Sequence, residues 1–219
     1  FHPGGVGGPN ATQGFEGNSL VNPWDYVLMI EGSLLLAGSM ARRTGKGTSG
    51  KASFPFTVYP SPAGWQTMSN NDAKSMRREI WLPLWKRPAC LPEVAHLFAE
   101  GRAEVGKRTA ITGSDLARAV ASLGVERGIN SFSRYGFVKR KGDGYISANL
   151  GMVDVHYRDH AHLLTEVDPW LVRFRRLARD DHAPISYVTA QRQIDEAIFR
   201  YCQSGIKRDL QEILIAISK

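Results

Sequence analysis

Three histidines crowd into "HYRDHAH": His156, His160 and His162, with Asp159 among them. Imidazoles and a carboxylate are zinc donors, and His160, His162 and Asp159 would form the nucleus of such a site. No fourth ligand is specified, and the segment lacks the helix or strand spacing of a zinc enzyme. It reads as a polar linker, and no metal is expected. A second candidate is "GKGTSGKA", where Gly45, Gly50 and Lys51 satisfy G-x-x-x-x-G-K. The next residue, Ala52, has no hydroxyl for magnesium. The loop also follows a predicted helix and precedes a predicted strand, the reverse of the order that aims helix N-terminal amides at phosphates. Nucleotide hydrolysis is therefore not expected, although a cationic loop can still touch a phosphate backbone.

There is no G-x-S-x-G elbow and no H-E-x-x-H. Each Asp and Glu has a simpler reading as a cap or a surface charge. No catalytic constellation emerges; the expectation is a non-enzymatic protein without a cofactor.

The cations are more informative. Between Arg102 and Lys141 stand nine basic residues (102, 107, 108, 118, 127, 134, 139, 140 and 141) against three acidic ones (104, 115 and 126). This stretch carries most of the chain's excess of 28 Lys and Arg over 21 Asp and Glu, a net +7. A basic balance speaks of partners rather than fold, and nucleic acid is the commonest polyanionic partner. Each phosphate neutralised releases counterions and gives salt-sensitive, sequence-independent affinity. The candidate nucleic-acid-binding residues are Arg127, Arg134, Lys139, Arg140 and Lys141, with a second cluster at Arg42, Arg43, Lys46 and Lys51. "RFRRLAR" (Arg173, Arg175, Arg176, Arg179) is a third cluster, equally readable as a solvated helical face. Rings lie among the central cations, and rings can stack bases. Here Phe132 and Phe137 are read as core and Tyr135 as packing at a helix end.

The elements that would position these residues can be read from periodicity and punctuation. Residues 1–21, with Gly4, Gly5, Gly7 and Gly8, read as loop. "NPWD" starts a helix, with Asn22 as cap, Pro23 in the first turn and Asp25 favoured by the dipole. It is expected to run to about Arg43 and, with Leu28, Met29, Leu34 and Leu35, to be mostly buried. "FPFTVY" reads as a strand that Pro55 confines to an edge or bulge. Residues 60–78 read as loop and "EIWLPLW" as extended or buried. Helices are expected over "LPEVAHLFAEGRAEV" and over "TGSDLARAVASLG", the latter capped by Thr112 or Ser114. A short helix from Glu126 to Tyr135, closed by Gly136, is expected to lead into a hairpin turning at "GDG". The last third reads as helices: one from Asp168-Pro169 with Trp170, Leu171, Phe174 and Leu177 on one face, one near 187–204 ended by Gly205, and one begun by "KRDLQEILIAISK". The fold class is α+β, mainly α-helical, divided into a mixed nucleic-acid-contacting part (1–155) and a helical, small-subunit-like part (156–219).

A chain of 219 residues with 42% hydrophobic residues can build a sizeable core. Cys90 and Cys202 belong to no CxxC, and both read as buried thiols of a reducing, cytoplasmic compartment. The most apolar run, 26–41, carries Glu31, two glycines and two serines, so it reads as a soluble helix and no membrane partner is expected.

Several long stretches, in order, carry a resemblance: "FHPGGVGGPN", "NPWDYVLMIEGSLLLAGSMARR", "SFPFTVYPSPAGW", the run from "EIWLPLWKRPAC" to "INSFSRYGF", and "DEAIFRYC". Together they resemble the large subunit of type I-G (formerly I-U) CRISPR effector complexes, over nearly the whole chain. In that family further sequence lies on both sides, so the chain, which starts at Phe1, reads as an internal and C-terminal portion. The resemblance implies a non-catalytic part of an RNA-guided surveillance complex in antiviral defence. Its implied partners are guide RNA, target DNA, other effector subunits and a helicase-nuclease. Its implied tasks are flanking-motif recognition and support of the opened duplex; guide pairing reads the sequence itself. The resemblance assigns no individual residue. The alternative reading is an assembly module that meets other subunits or guide RNA without reading DNA.

Overall fold

The computed structural model describes residues 23–39, 41–42, 52–61, 63–64, 75–100, 103–123, 125, 128–139, 144–180 and 182–218. The fold is α+β and mainly helical, with a four-stranded antiparallel sheet and helices that dominate the C-terminal third. The chain divides into two compact units, residues 1–55 with 91–99 and residues 56–90 with 100–219. The division expected at residue 155 is thus not where the chain separates. The C-terminal helices belong to the same unit as the sheet.

In the first unit α1 spans Pro23–Gly38, and a two-residue strand β1 (Ala41–Arg42) pairs with β2 (Ala52–Ser53). The helix stops earlier than expected, so Arg42 is a strand residue rather than part of a last helical turn. Trp24, Leu28, Met29 and Leu34 are exposed, against the expectation of a buried helix. Helix α2 spans Leu91–Glu100, with Pro92 tolerated in its first turn. Cys90, just before it, is exposed, whereas Cys202 is buried as expected.

In the second unit the sheet order is β3 (Thr57–Val58), β4 (Met76–Leu84), β7 (Ser131–Lys139) and β8 (Tyr145–Asp154). A small ribbon, β5 (Glu104–Val105) and β6 (Arg108–Thr109), precedes α3 (Gly113–Ala121). Then follow α4 (Leu163–Glu166), α5 (Asp168–Ala178), α6 (Ile185–Ser204) and α7 (Lys207–Ile217). Pro83 sits inside β4, and β3 lies at the sheet edge, as Pro55 suggested.

The β7–β8 hairpin is present, but the helix expected over Glu126–Tyr135 is not: Ser131 to Tyr135 begin β7. The physical reason is visible in "SFSRYGFVK". Phe132, Arg134, Gly136 and Val138 alternate as buried positions, a period of two. Gly136 is therefore not a helix cap but a strand residue against which Met76 packs. The expected end of α6 does hold. Gly205 adopts the left-handed conformation at φ 69°, and its N–H donates to the Tyr201 carbonyl.

Among the described residues, no helix is long and apolar enough to cross a membrane.

Candidate nucleic-acid interface

Residues paired across an antiparallel sheet share a face, so the register assigns each β7 side chain a side. One side is interior. Trp81 lies opposite Arg134, Pro83 opposite Phe132 and Met76 opposite Val138. Phe132 packs edge-on against Phe56 and Trp81, with centroids 5.4 and 5.8 Å apart, and Phe199 of α6 lies 6.2 Å from Trp81. The Glu79 carboxylate rests against the first turn of α3 at Gly113.

Arg134, a candidate phosphate contact, belongs to this interior. Its Nε and Nη2 lie 2.8 and 2.7 Å from Glu79 Oε1, which also accepts from Trp81 Nε1 at 2.7 Å. The guanidinium lies over two neighbouring rings, 4.2 Å from the Phe199 centroid and 4.9 Å from that of Trp81. It also donates to the carbonyls of Ala63 and Gly64. Its charge is neutralised and desolvated, so it is withdrawn from the nucleic-acid candidates.

Two more central cations are consumed by a buried network, and the capping of α3 organises it. Thr112 caps the helix and Asp115 completes the capping box, so the carboxylate is held at the helix N-terminus, where the dipole favours it. Arg108 of β6 forks onto Asp115 at 2.9 and 2.8 Å and reaches Asp168 of α5 at 2.9 Å. Arg118 donates to Asp168 and to the Leu164 carbonyl. Arg175 of α5 bridges Asp115 at 2.9 Å and Asp195 of α6 at 2.6 Å, and donates to Ser114 Oγ at 2.7 Å. Three arginines and three aspartates thus cancel and bind β6, α3, α5 and α6 together.

Burial pushes the Asp115 carboxyl up, but the hydrogen bonds of Arg108 and the charges of Arg175, Arg108 and Arg118 outweigh it. They hold the group far below the usual carboxylate range. For Arg175, burial opposes the cationic form and the Asp195 and Asp115 carboxylates overcome it, so its acidity is weakened further. Arg175 also inverts the expected packing of α5. The helix buries Asp168, Leu171, Arg175 and Ala178 and leaves Trp170 and Leu177 exposed at 42% and 54%. Arg173 and Arg176 of the same cluster remain exposed.

The second side of the sheet is different. Tyr135 stands opposite Ile80, Phe137 opposite Arg78 and Lys139 opposite Tyr145. Tyr135 and Phe137 are half-buried and Lys139 is exposed. Tyr145 and Met152 are exposed at 58% and 59%. The rings expected in a core and at a helix end are therefore split: Phe132 is core, while Tyr135 and Phe137 lie on the opposite face. Their strand period was the signal that would have separated them.

Of the nine candidate cations, Lys139 is the one whose exposed side chain is described. Arg42 is placed in β1, and Arg127, Arg140, Lys141, Arg43, Lys46 and Lys51 lie outside the described residues. So does the phosphate-loop mimic, apart from Ala52. His160 and His162 lie with ring centroids 6.4 Å apart, and among the described residues no group of three metal-binding side chains is assembled.

Set against known proteins, the chain matches no family model and no curated protein.

Proposed function

We propose that this chain is a non-catalytic, nucleic-acid-contacting subunit of an RNA-guided DNA-surveillance complex, in which it supports opened target DNA and the recruitment of a helicase-nuclease. The observation that carries the reading is the fate of the charges. Among the described residues, Arg108, Arg118, Arg134 and Arg175 are matched by Glu79, Asp115, Asp168 and Asp195, so this network absorbs none of the +7 excess. The excess is carried by other residues, and Lys139 exposes part of it at the end of β7, immediately before Arg140 and Lys141 in the sequence. Among the described residues, four of the five buried carboxylates, Glu79, Asp115, Asp168 and Asp195, are tied to arginines, and the fifth, Asp209, accepts from Ser204, which favours a holding role over acid-base work. The sequence resemblance supplies the kind of complex.

The test is a Lys139→Ala, Arg140→Ala, Lys141→Ala variant, titrated with duplex and opened-duplex DNA at several salt concentrations. Weaker binding and a log-log salt slope flatter by about one per lost phosphate contact are expected. Unchanged affinity and slope would remove the hairpin from the interface.

A second reading, an assembly module, draws on the exposed apolar residues of the C-terminal helices: Trp170 and Leu177 of α5, with Ile185, Tyr187 and Val188 of α6. Exposed apolar patches mark protein–protein contact. Crosslinking to DNA within an assembled complex separates the two, because an assembly module would yield crosslinks to subunits or guide RNA alone.

A further inference from the structure

We propose that the second face of the sheet is a stacking platform for the unpaired bases of a single-stranded nucleic acid. The inference rests on the reading that the chain contacts nucleic acid, and it names the form of that ligand and the residues that meet it. Tyr135 and Phe137 project from the same face of β7, two residues apart. A strand advances about 7 Å over two residues, so successive rings are spaced for successive bases of an extended strand. Tyr145, across the register from Lys139, extends the row onto β8. Every base has a π-face, so such a row accepts bases without selecting a sequence.

The flanking charge fits the same occupant. Arg78 stands opposite Phe137, its guanidinium 4.0 Å above the Tyr59 ring and so held beside the aromatic row. Lys139 closes the row at the hairpin end. Among the described residues of the face the acidic one is Asp154, which pairs with Ser131 at the opposite end of β7. Cations at one end and a carboxylate at the other direct a phosphate backbone toward the hairpin. A duplex hides its base faces within its own stack, so rings and cations arranged in this way favour an unpaired strand.

The experiment is fluorescence anisotropy of the full chain with a labelled oligo-dT strand and with a duplex of equal length, at matched salt. The strand is expected to bind more tightly than the duplex. Tyr135→Leu and Phe137→Leu keep apolar volume but remove the π-face. Each is expected to weaken strand binding about tenfold while leaving duplex affinity and the salt slope unchanged. As a measurement on the unaltered chain, photocrosslinking of a 5-iodouracil-substituted strand is expected to mark the β7 peptide that carries Tyr135 and Phe137. Equal strand and duplex affinity, leucine variants that bind as the parent does, or crosslinks confined elsewhere would each overturn the platform. If salt-sensitive duplex binding persists while strand preference is absent, the platform falls and the phosphate-contacting function stands. If neither nucleic acid binds, both fall.

Discussion

Arg134 and Glu79 form an ion pair inside the protein: Nη2 lies 2.7 Å from Oε1, and the two side chains are 1% and 0% exposed. Removing either partner strands a buried charge, which costs far more than losing a surface contact. Arg134→Ala is expected to destabilise the fold by about 3–5 kcal/mol in urea unfolding. Arg134→Lys keeps the charge but loses the planar fork that meets Glu79 and the Ala63 and Gly64 carbonyls while lying over the Trp81 and Phe199 rings, so it too should be destabilising. In molecules that remain folded, the lysine variant should leave the salt dependence of DNA binding unchanged. A flatter salt slope would return Arg134 to the interface.

Asp115 is the shared carboxylate of Arg108 and Arg175, and Arg118 lies 3.7 Å away. Asp115→Asn keeps the shape and removes the charge that organises three cations. A loss of roughly 3–5 kcal/mol is expected in equilibrium unfolding. The control Asp154→Asn, on an exposed strand end, should stay within about 0.5 kcal/mol of the parent. Equal effects from the two substitutions would show that the network does not hold the helices.

The same carboxylate predicts an acid limb. Its ionisation is held below the ordinary range in the fold, so in acid the unfolded chain binds the proton first. The stabilisation is complete above the ordinary Asp value of about 4 and is lost progressively as pH falls below it toward the depressed folded value. Urea midpoints should therefore be steady from neutral pH to mildly acidic pH and then decline. The decline should be shallower in Asp115→Asn. A limb of the same steepness in parent and variant would assign it to other carboxylates.

Gly64 adopts φ +68°, and a Cβ there would lie 2.3 Å from Phe199 Cε1. Its N–H donates to Glu196 and its carbonyl accepts from Arg134, so the backbone cannot move aside without releasing the buried pair. Gly64→Ala is expected to cost at least about 1–3 kcal/mol from backbone strain alone. Thermal melts of Gly64→Ala and of Gly144→Ala, an exposed position with open space for a Cβ, give the comparison. Equal melting temperatures would sink the argument.

Local signals were legible in particular residues. Thr112, one of the two expected caps, does cap α3, Pro169 marks an early helical turn, and Gly205 a left-handed stop; each marks an element the structure contains. These features succeed because they depend on backbone groups within a few residues. The period of two in "SFSRYGFVK" was equally local, but Gly136 also resembles a helix stop, and that reading displaced the strand. On α5, the apolar stripe Trp170, Phe174 and Leu177 suggested the buried side. Instead, Asp115 and Asp195, remote in sequence, make Arg175 a satisfied interior residue.

By itself the sequence determined the α+β class, the Thr112 cap, the Pro169 start and the Gly205 stop, and the net positive charge. Those follow from backbone propensity and from counting ionisable groups, neither of which needs a distant partner. Only the tertiary structure decided which cations are spent inside: Arg134 on Glu79, and Arg108, Arg118 and Arg175 on three aspartates, while Lys139 remains exposed. A charge is available to a ligand only if its own fold has not neutralised it, and carboxylates as much as 60 residues away along the chain do the neutralising here.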